Sequence, residues 1–118
     1  MLLRRTEAEW HFHFGSRLVV GGFLLWRLLG PDRIELSGED DGHKFGLPDP
    51  IDAESKFNEL LGGAKVVRIS MSKRTGDLCF DFDNRLTLEV ITTSAGYESW
   101  SIDENGDFFA AGASGGVV

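Results

Sequence analysis

The chain has 118 residues, of which 42% are hydrophobic and 26% are charged, and its formal net charge is −7. This size and composition predict one globular domain over residues 1–118 and exclude a wholly disordered chain. The negative charge disfavours nucleic acid as a partner, and the single cysteine, Cys79, excludes an internal disulfide, so we expect a cytoplasmic protein.

The N-terminal part of the chain alternates apolar and polar residues, which is typical of half-buried strands. In residues 10–14 the aromatic side chains fall on one face, and His11 and His13 fall on the other. Residues 18–29 carry two apolar runs separated by a pair of glycines, which predicts one strand with a bulge or bend at the glycines. Taken together with the glycines, the uncharged stretch before Arg27 covers residues 18–26, which is far shorter than the roughly 20 residues that span a bilayer, so no membrane segment is expected.

The middle of the chain predicts a loop followed by the only helix. Residues 38–50 are rich in glycine, proline and acids, which indicates a loop. Residues 52–61 have the apolar spacing of a helix with one buried face. Asp52 can accept hydrogen bonds at the start of this helix, and Gly62 can end it.

The second half of the chain reads as a series of strands joined by short turns. Residues 78–82 and 86–90 alternate, and Phe80 falls opposite Leu88 if the loop between them is centred on Asn84. A turn is expected at Asn105-Gly106, and the glycine-rich tail is expected to form a last edge strand or to fray. The fold class is therefore predicted to be α+β, a mainly antiparallel twisted sheet of about seven or eight strands with one helix on one face.

Negative charge is concentrated in residues 35–60, which hold eight carboxylates and two lysines, a net −6. A field of one sign attracts a partner of the opposite sign and speeds its association. Phe45 is an apolar residue inside this charged stretch that could anchor a partner. We therefore predict that a protein with a basic surface docks here. The predicted contact residues are Glu39, Asp40, Asp41, Phe45, Asp49, Asp52 and Glu54.

Two histidines suggest an alternative function. His11 and His13 have the i, i+2 spacing that puts two imidazoles on one side of a strand, and His43 or a carboxylate could complete a metal site. The same pattern also arises on any strand with a polar outer face. A small metal-binding protein or enzyme therefore stays open as an alternative, and no cofactor is predicted.

Other signals of catalysis are not specific. Asp81, Glu89 and Glu98 could pair as acids, but carboxylates on outer strand faces are ordinarily solubilising. We predict no catalytic residue and a protein that is not an enzyme. A further alternative is a structural subunit that associates with itself through an edge strand from the C-terminal tail.

The C-terminal third carries a resemblance. The strings Gly76-Asp77-Leu78, Leu86-Thr87-Leu88-Glu89-Val90 and Ser94-Ala95-Gly96-Tyr97-Glu98-Ser99-Trp100 precede a glycine-rich tail. Together they resemble small bacterial proteins, several of which look like immunity proteins encoded beside secreted polymorphic toxins. The resemblance implies a cytoplasmic protein that binds one cognate toxin domain tightly and blocks it, and it carries no catalytic motif.

Overall fold

The structure, a computed structural model, describes residues 1–15, 17–95, 100–104, 107–113 and 116–117, and these contain eleven strands and one α-helix. The helix is α1 (Ala53–Leu61), and a short 3-10 helix covers Gly38–Asp40. The strands are β1 (Leu2–Thr6), β2 (Glu9–Phe14), β3 (Leu18–Gly22), β4 (Leu25–Leu29), β5 (Ile34–Ser37), β6 (Val66–Met71), β7 (Leu78–Phe82), β8 (Thr87–Ile91), β9 (Trp100–Glu104), β10 (Asp107–Ala113) and β11 (Gly116–Val117).

The strands form two antiparallel sheets. One sheet has the order β1-β2-β3-β9-β10-β11, and the other has the order β5-β4-β8-β7-β6. The α+β class, the antiparallel pairing and the helix are confirmed. The strands do not make a single meander, because the chain leaves the first sheet after β3 and returns to it at β9.

The glycine pair near the start of the chain marks the change from one sheet to the other. The sequence predicts one bent strand over residues 18–29, and this prediction is wrong, because β3 and β4 belong to different sheets. Gly22 adopts a φ of 135°, a conformation that residues with side chains rarely adopt. The chain therefore turns at Gly22 and crosses from one layer to the other within two residues.

Aromatic rings fill the core between the two sheets. Trp26 of β4 makes edge-to-face contacts with Trp10 and Phe12 of β2, with ring centroids 5.3 and 5.6 Å apart. Phe14 contacts Phe80 of β7 at 5.1 Å. These contacts cross from sheet to sheet, so burial of aromatic surface holds the layers together.

The helix begins and ends where the sequence predicts. Asp52 accepts a hydrogen bond from the Ser55 amide at 3.2 Å, and Gly62 follows the last turn with a φ of 58°. Ala53, Phe57 and Leu61 are buried on one face of α1. The helix contacts β1 and β5, which are edge strands of the two sheets, and the Phe57 ring lies against those of Phe12 and Trp26.

The hairpin of β7 and β8 has the predicted register. Phe80 lies opposite Leu88, and both are buried. The left-handed residue of the intervening loop is Arg85, with a φ of 70°, next to Asn84 rather than at it. The turn predicted at Asn105-Gly106 lies outside the described residues, and the predicted edge strand of the tail corresponds to β11.

Candidate functional site

The acidic loop, residues 38–52, joins β5 to α1 and is closed by its own backbone. The Gly42 amide donates to the Ile51 carbonyl and the Ile51 amide donates to the His43 carbonyl, both at 2.8 Å. The Leu47 amide donates to the Lys44 carbonyl at 2.8 Å, which folds the tip into a turn. Residues 42–50 are all exposed, so the tip of the loop projects from the protein.

Two of the predicted contact residues fix the base of the acidic loop. Asp40 accepts a hydrogen bond from the Ser37 amide at 2.9 Å. Asp41 accepts one from the Ala53 amide at 2.9 Å and forms an ion pair with the Arg5 guanidinium of β1. These carboxylates therefore stabilise the fold of this region, and their role in docking stays a prediction.

Two further predicted contact residues, Asp52 and Glu54, belong to the start of the helix. Besides its bond to the Ser55 amide, Asp52 accepts a hydrogen bond from the Ser55 hydroxyl at 3.1 Å. Glu54 accepts a hydrogen bond from the Arg5 amide at 3.0 Å, on the outer edge of β1. Both carboxylates remain near the surface, but both already have partners within the chain.

Arg5 is the residue at this site that the sequence did not reveal. Its guanidinium lies over the Trp10 ring, 4.5 Å from the ring centroid, and pairs with Asp41. The sequence around Arg5 does not predict this ion pair. Arg5 and Asp41 are 36 residues apart, and their contact depends on how the first sheet packs against the acidic loop.

Apolar side chains are exposed at the tip of the acidic loop and beside it. Phe45 is 67% exposed and has a φ of 46°, and its ring stacks on that of His43 with centroids 5.5 Å apart. Leu47 is also exposed. A cleft of about 490 Å³ separates this loop from Phe23, which is 75% exposed, and its lining includes Glu39 and His43. The site therefore combines exposed rings with carboxylates.

Glu39 and Asp49 are the predicted contact carboxylates for which the described part of the chain provides no bonding partner. Both are exposed, and neither has an ion pair or a side-chain hydrogen bond to the described part of the chain. Among the described residues, Glu35 and Asp41 are the members of residues 35–60 that form ion pairs, with Arg33 and Arg5 respectively. The other carboxylates keep their charge available, so the surface stays negative.

The histidine pair lies on the outer face of the first sheet. The His11 and His13 rings are 6.5 Å apart, and His11 Nε2 is 3.1 Å from the Thr6 hydroxyl. Burial lowers the pKa of His13, and the nearby charges of Arg4 and His11 lower it further. Among the described residues, no three His, Cys, Asp or Glu side chains are grouped closely enough to hold a metal ion.

Two of the carboxylates considered for catalysis, Asp81 and Glu89, have structural partners. Asp81 accepts a hydrogen bond from the Thr87 hydroxyl at 2.9 Å, and Glu89 pairs with Arg27 at 2.5 Å. Burial raises the pKa of the Cys79 thiol, and the carboxylate of Asp81 raises it further, so the thiol disfavours the thiolate that a nucleophile needs. Glu98 lies outside the described residues.

Comparisons with known proteins add no further clue to the site. No protein-family model, no curated protein and no solved structure matches this chain. In the described ranges, the chain also has no helix with the length and apolar character needed to cross a membrane.

Proposed function

We propose that the protein is a non-enzymatic binding protein whose acidic loop docks a partner protein with a basic surface. One observation carries the proposal, namely that Phe45 and Leu47 are exposed at the tip of a loop with unpaired carboxylates around them. Interfaces are commonly anchored by a few aromatic or aliphatic side chains inside a polar rim, which is the arrangement here.

The charge distribution supports a cationic partner. Residues 35–60 carry a net −6, and Arg5 and Arg33 are the described cations from outside this segment that pair with it. A basic partner would be attracted over roughly the Debye length of about 8 Å at physiological salt. Association would therefore be fast at low salt and would slow as salt is added.

A cognate bacterial toxin is the specific partner that we propose. The support is the resemblance of residues 76–78, 86–90 and 94–100 to proteins that look like immunity proteins, together with the acidic surface. A toxin that acts on nucleic acid needs a basic cleft, and carboxylates can occupy such a cleft in place of phosphates. The protein would then act in the cytoplasm, where it would block the toxin.

The proposal is tested with the product of the neighbouring gene as the binding probe. We expect Glu39→Lys and Asp49→Lys each to weaken binding by about tenfold, because each turns an attractive charge into a repulsive one. Asp32→Lys is the matched control. Asp32 is exposed in the turn before β5, so this substitution makes the same change of charge outside the acidic loop. Binding should also weaken as sodium chloride rises from about 50 to about 500 mM.

The apolar anchor is tested separately. Phe45→Ala should weaken the same complex by at least about tenfold, as truncation of an interface hot spot does. Ile34→Ala is its control, because Ile34 is an exposed apolar residue of β5 outside the loop. Affinity that is indifferent to salt, to both charge reversals and to Phe45→Ala would show that the acidic loop is not the docking surface.

A further inference from the structure

A second surface lies on β6, at the far side of the second sheet from the acidic loop. β6 and β5 are the two ends of a five-stranded sheet, so four strand spacings, about 19 Å, separate them. β6 pairs with β7 on one side, and no strand within the described ranges pairs with its other side. The acidic loop follows β5, so the width of the sheet separates the two surfaces.

The edge strands β1 and β6 differ in whether their outer backbone groups have hydrogen-bond partners. On β1, the Leu3 amide and carbonyl are bonded to Asn58 and the Arg5 amide is bonded to Glu54, so side chains of α1 satisfy these three outer backbone groups. No side chain of the described residues does this for the outer edge of β6. Edge strands with free N–H and C=O groups are templates for another strand.

Three side chains of β6 are both apolar and exposed, namely Val67, Ile69 and Met71, and the last two point toward the core side. Ile69 lies opposite Phe80 and Met71 lies opposite Leu78, and these two partners are buried. Residues directly opposite each other share a face of the sheet. Ile69 and Met71 are nevertheless 57% and 44% exposed, because the inner face is uncovered at this edge.

The backbone of the same two residues points outward. The Ser72 amide donates to the Asp77 carbonyl at 2.9 Å, which makes Ser72 and Asp77 a bonded pair. Bonded and non-bonded pairs alternate along an antiparallel ladder, so Ile69 and Met71 are at non-bonded positions relative to β7. Their N–H and C=O groups are therefore available to a further strand.

The charged residues of β6 and of its immediate ends, within residues 65–74, are all basic, although Asp81 of β7 lies opposite Arg68. Lys65, Arg68, Lys73 and Arg74 lie on or next to this strand, and none of them forms an ion pair with the described part of the chain. If β6 paired antiparallel with β6 of a second copy, Lys65 and Arg68 of one chain would lie near Lys73 and Arg74 of the other. Such like charges are destabilising across strands.

We propose that β6 takes up an extended acidic segment of a partner protein, which adds to the sheet as an antiparallel strand. Residues of that segment opposite Ile69 and Met71 would be apolar, because they complete the inner face, and the residues between them would be acidic, because they lie next to Arg68. The regular part of the strand, residues 68–71 beyond the bulge at Val67, sets the length of the paired core.

A peptide of about seven residues that alternates valine and glutamate tests the proposal on the intact protein. Valines opposite Ile69 and Met71 would direct their N–H groups to β6, whereas the glutamate N–H groups would point away. Methylation of the valine nitrogens should weaken binding by at least about tenfold, since it removes the pairing hydrogen bonds. Methylation of the glutamate nitrogens is the matched control and should leave binding intact.

Hydrogen exchange locates the peptide. At saturating peptide, we expect exchange of the Ile69 and Met71 amides to slow by about tenfold or more. Arg68→Glu should weaken binding, whereas Lys56→Glu, which makes the same charge change on the exposed side of α1, should not. Because this surface is separate from the acidic loop, Glu39→Lys should leave the peptide's affinity unchanged.

Three results would overturn the proposal. One is equal binding by the two methylated peptides, which would mean that no strand pairing occurs. Another is protection within residues 42–50 instead of β6. The third is protection of β6 without peptide in a dimer that forms as protein concentration rises, since a second copy would then be the occupant.

Discussion

Asn58 of α1 pairs with the backbone of Leu3 as a neighbouring strand would. Its side-chain nitrogen donates to the Leu3 carbonyl at 2.9 Å, and its side-chain oxygen accepts from the Leu3 amide at 2.8 Å. The two groups are separated by 55 residues in sequence. One amide side chain thus closes the open edge of the first sheet and attaches the helix to it.

Replacement of Asn58 by leucine should destabilise the protein. The variant leaves the Leu3 amide and carbonyl without partners in a partly buried position, which costs about 1–3 kcal/mol. The free energy of unfolding in urea measures this loss. Glu59→Ala is the control on the same helix, because Glu59 is exposed, and equal stabilities of the two variants would contradict the pairing.

A side chain at position 38 should disturb the aromatic core. A Cβ on Gly38 would lie 2.7 Å from Nε1 of Trp26, and Trp26 is held between the rings of Trp10, Phe12 and Phe57. Since the indole cannot move freely, we expect Gly38→Ala to cost about 1–3 kcal/mol. Thermal and urea unfolding measure the change.

Gly63 provides the matched control for that substitution. A Cβ at Gly63 meets nothing within 4 Å, so Gly63→Ala should leave stability close to that of the original protein. A Gly38→Ala variant as stable as Gly63→Ala would show that the loop does not press on Trp26.

His13 should make stability depend on pH. Burial is the main cause of its lowered pKa, so the folded state favours the neutral imidazole. The contribution of His13 to the free energy of unfolding is fully present above the pKa of about 6.5 that it has in the unfolded chain. This contribution is lost as the pH falls through the lower pKa that His13 has in the folded protein. His13→Asn should therefore lose less stability than the original protein between about pH 7.5 and about pH 5. Identical losses in the two proteins would rule out this role.

Cys79 should react slowly with iodoacetamide in the folded protein. Burial and the carboxylate of Asp81 raise the pKa of the thiol, so less thiolate is present at about pH 8 than in a free cysteine. Unfolding in urea should restore the rate of an ordinary cysteine. A native rate equal to the denatured rate would contradict the raised pKa of this partly buried thiol.

Local patterns predicted much of the fold. Asp52 and Gly62 mark the ends of α1 because caps depend on the nearest residues, and the length of the loop between Phe80 and Leu88 sets their register. The change of sheet at Gly22 could not be predicted, because two apolar runs joined by glycines have the same sequence pattern in one bent strand as in two strands of different layers. The sequence also predicted the charge of the acidic loop but not the bonds of Asp40 and Asp41, which depend on distant contacts or exact loop geometry.

The most direct test of the central claim is a hydrogen-exchange map of the complex with the product of the neighbouring gene. The amides of residues 42–47 and of Asp49 should be protected, since these residues are exposed in the free protein and Pro48 and Pro50 carry no amide proton. Glu39→Lys together with Asp49→Lys should abolish that protection. Tight binding that leaves residues 42–50 exchanging as in the free protein would contradict docking through this surface.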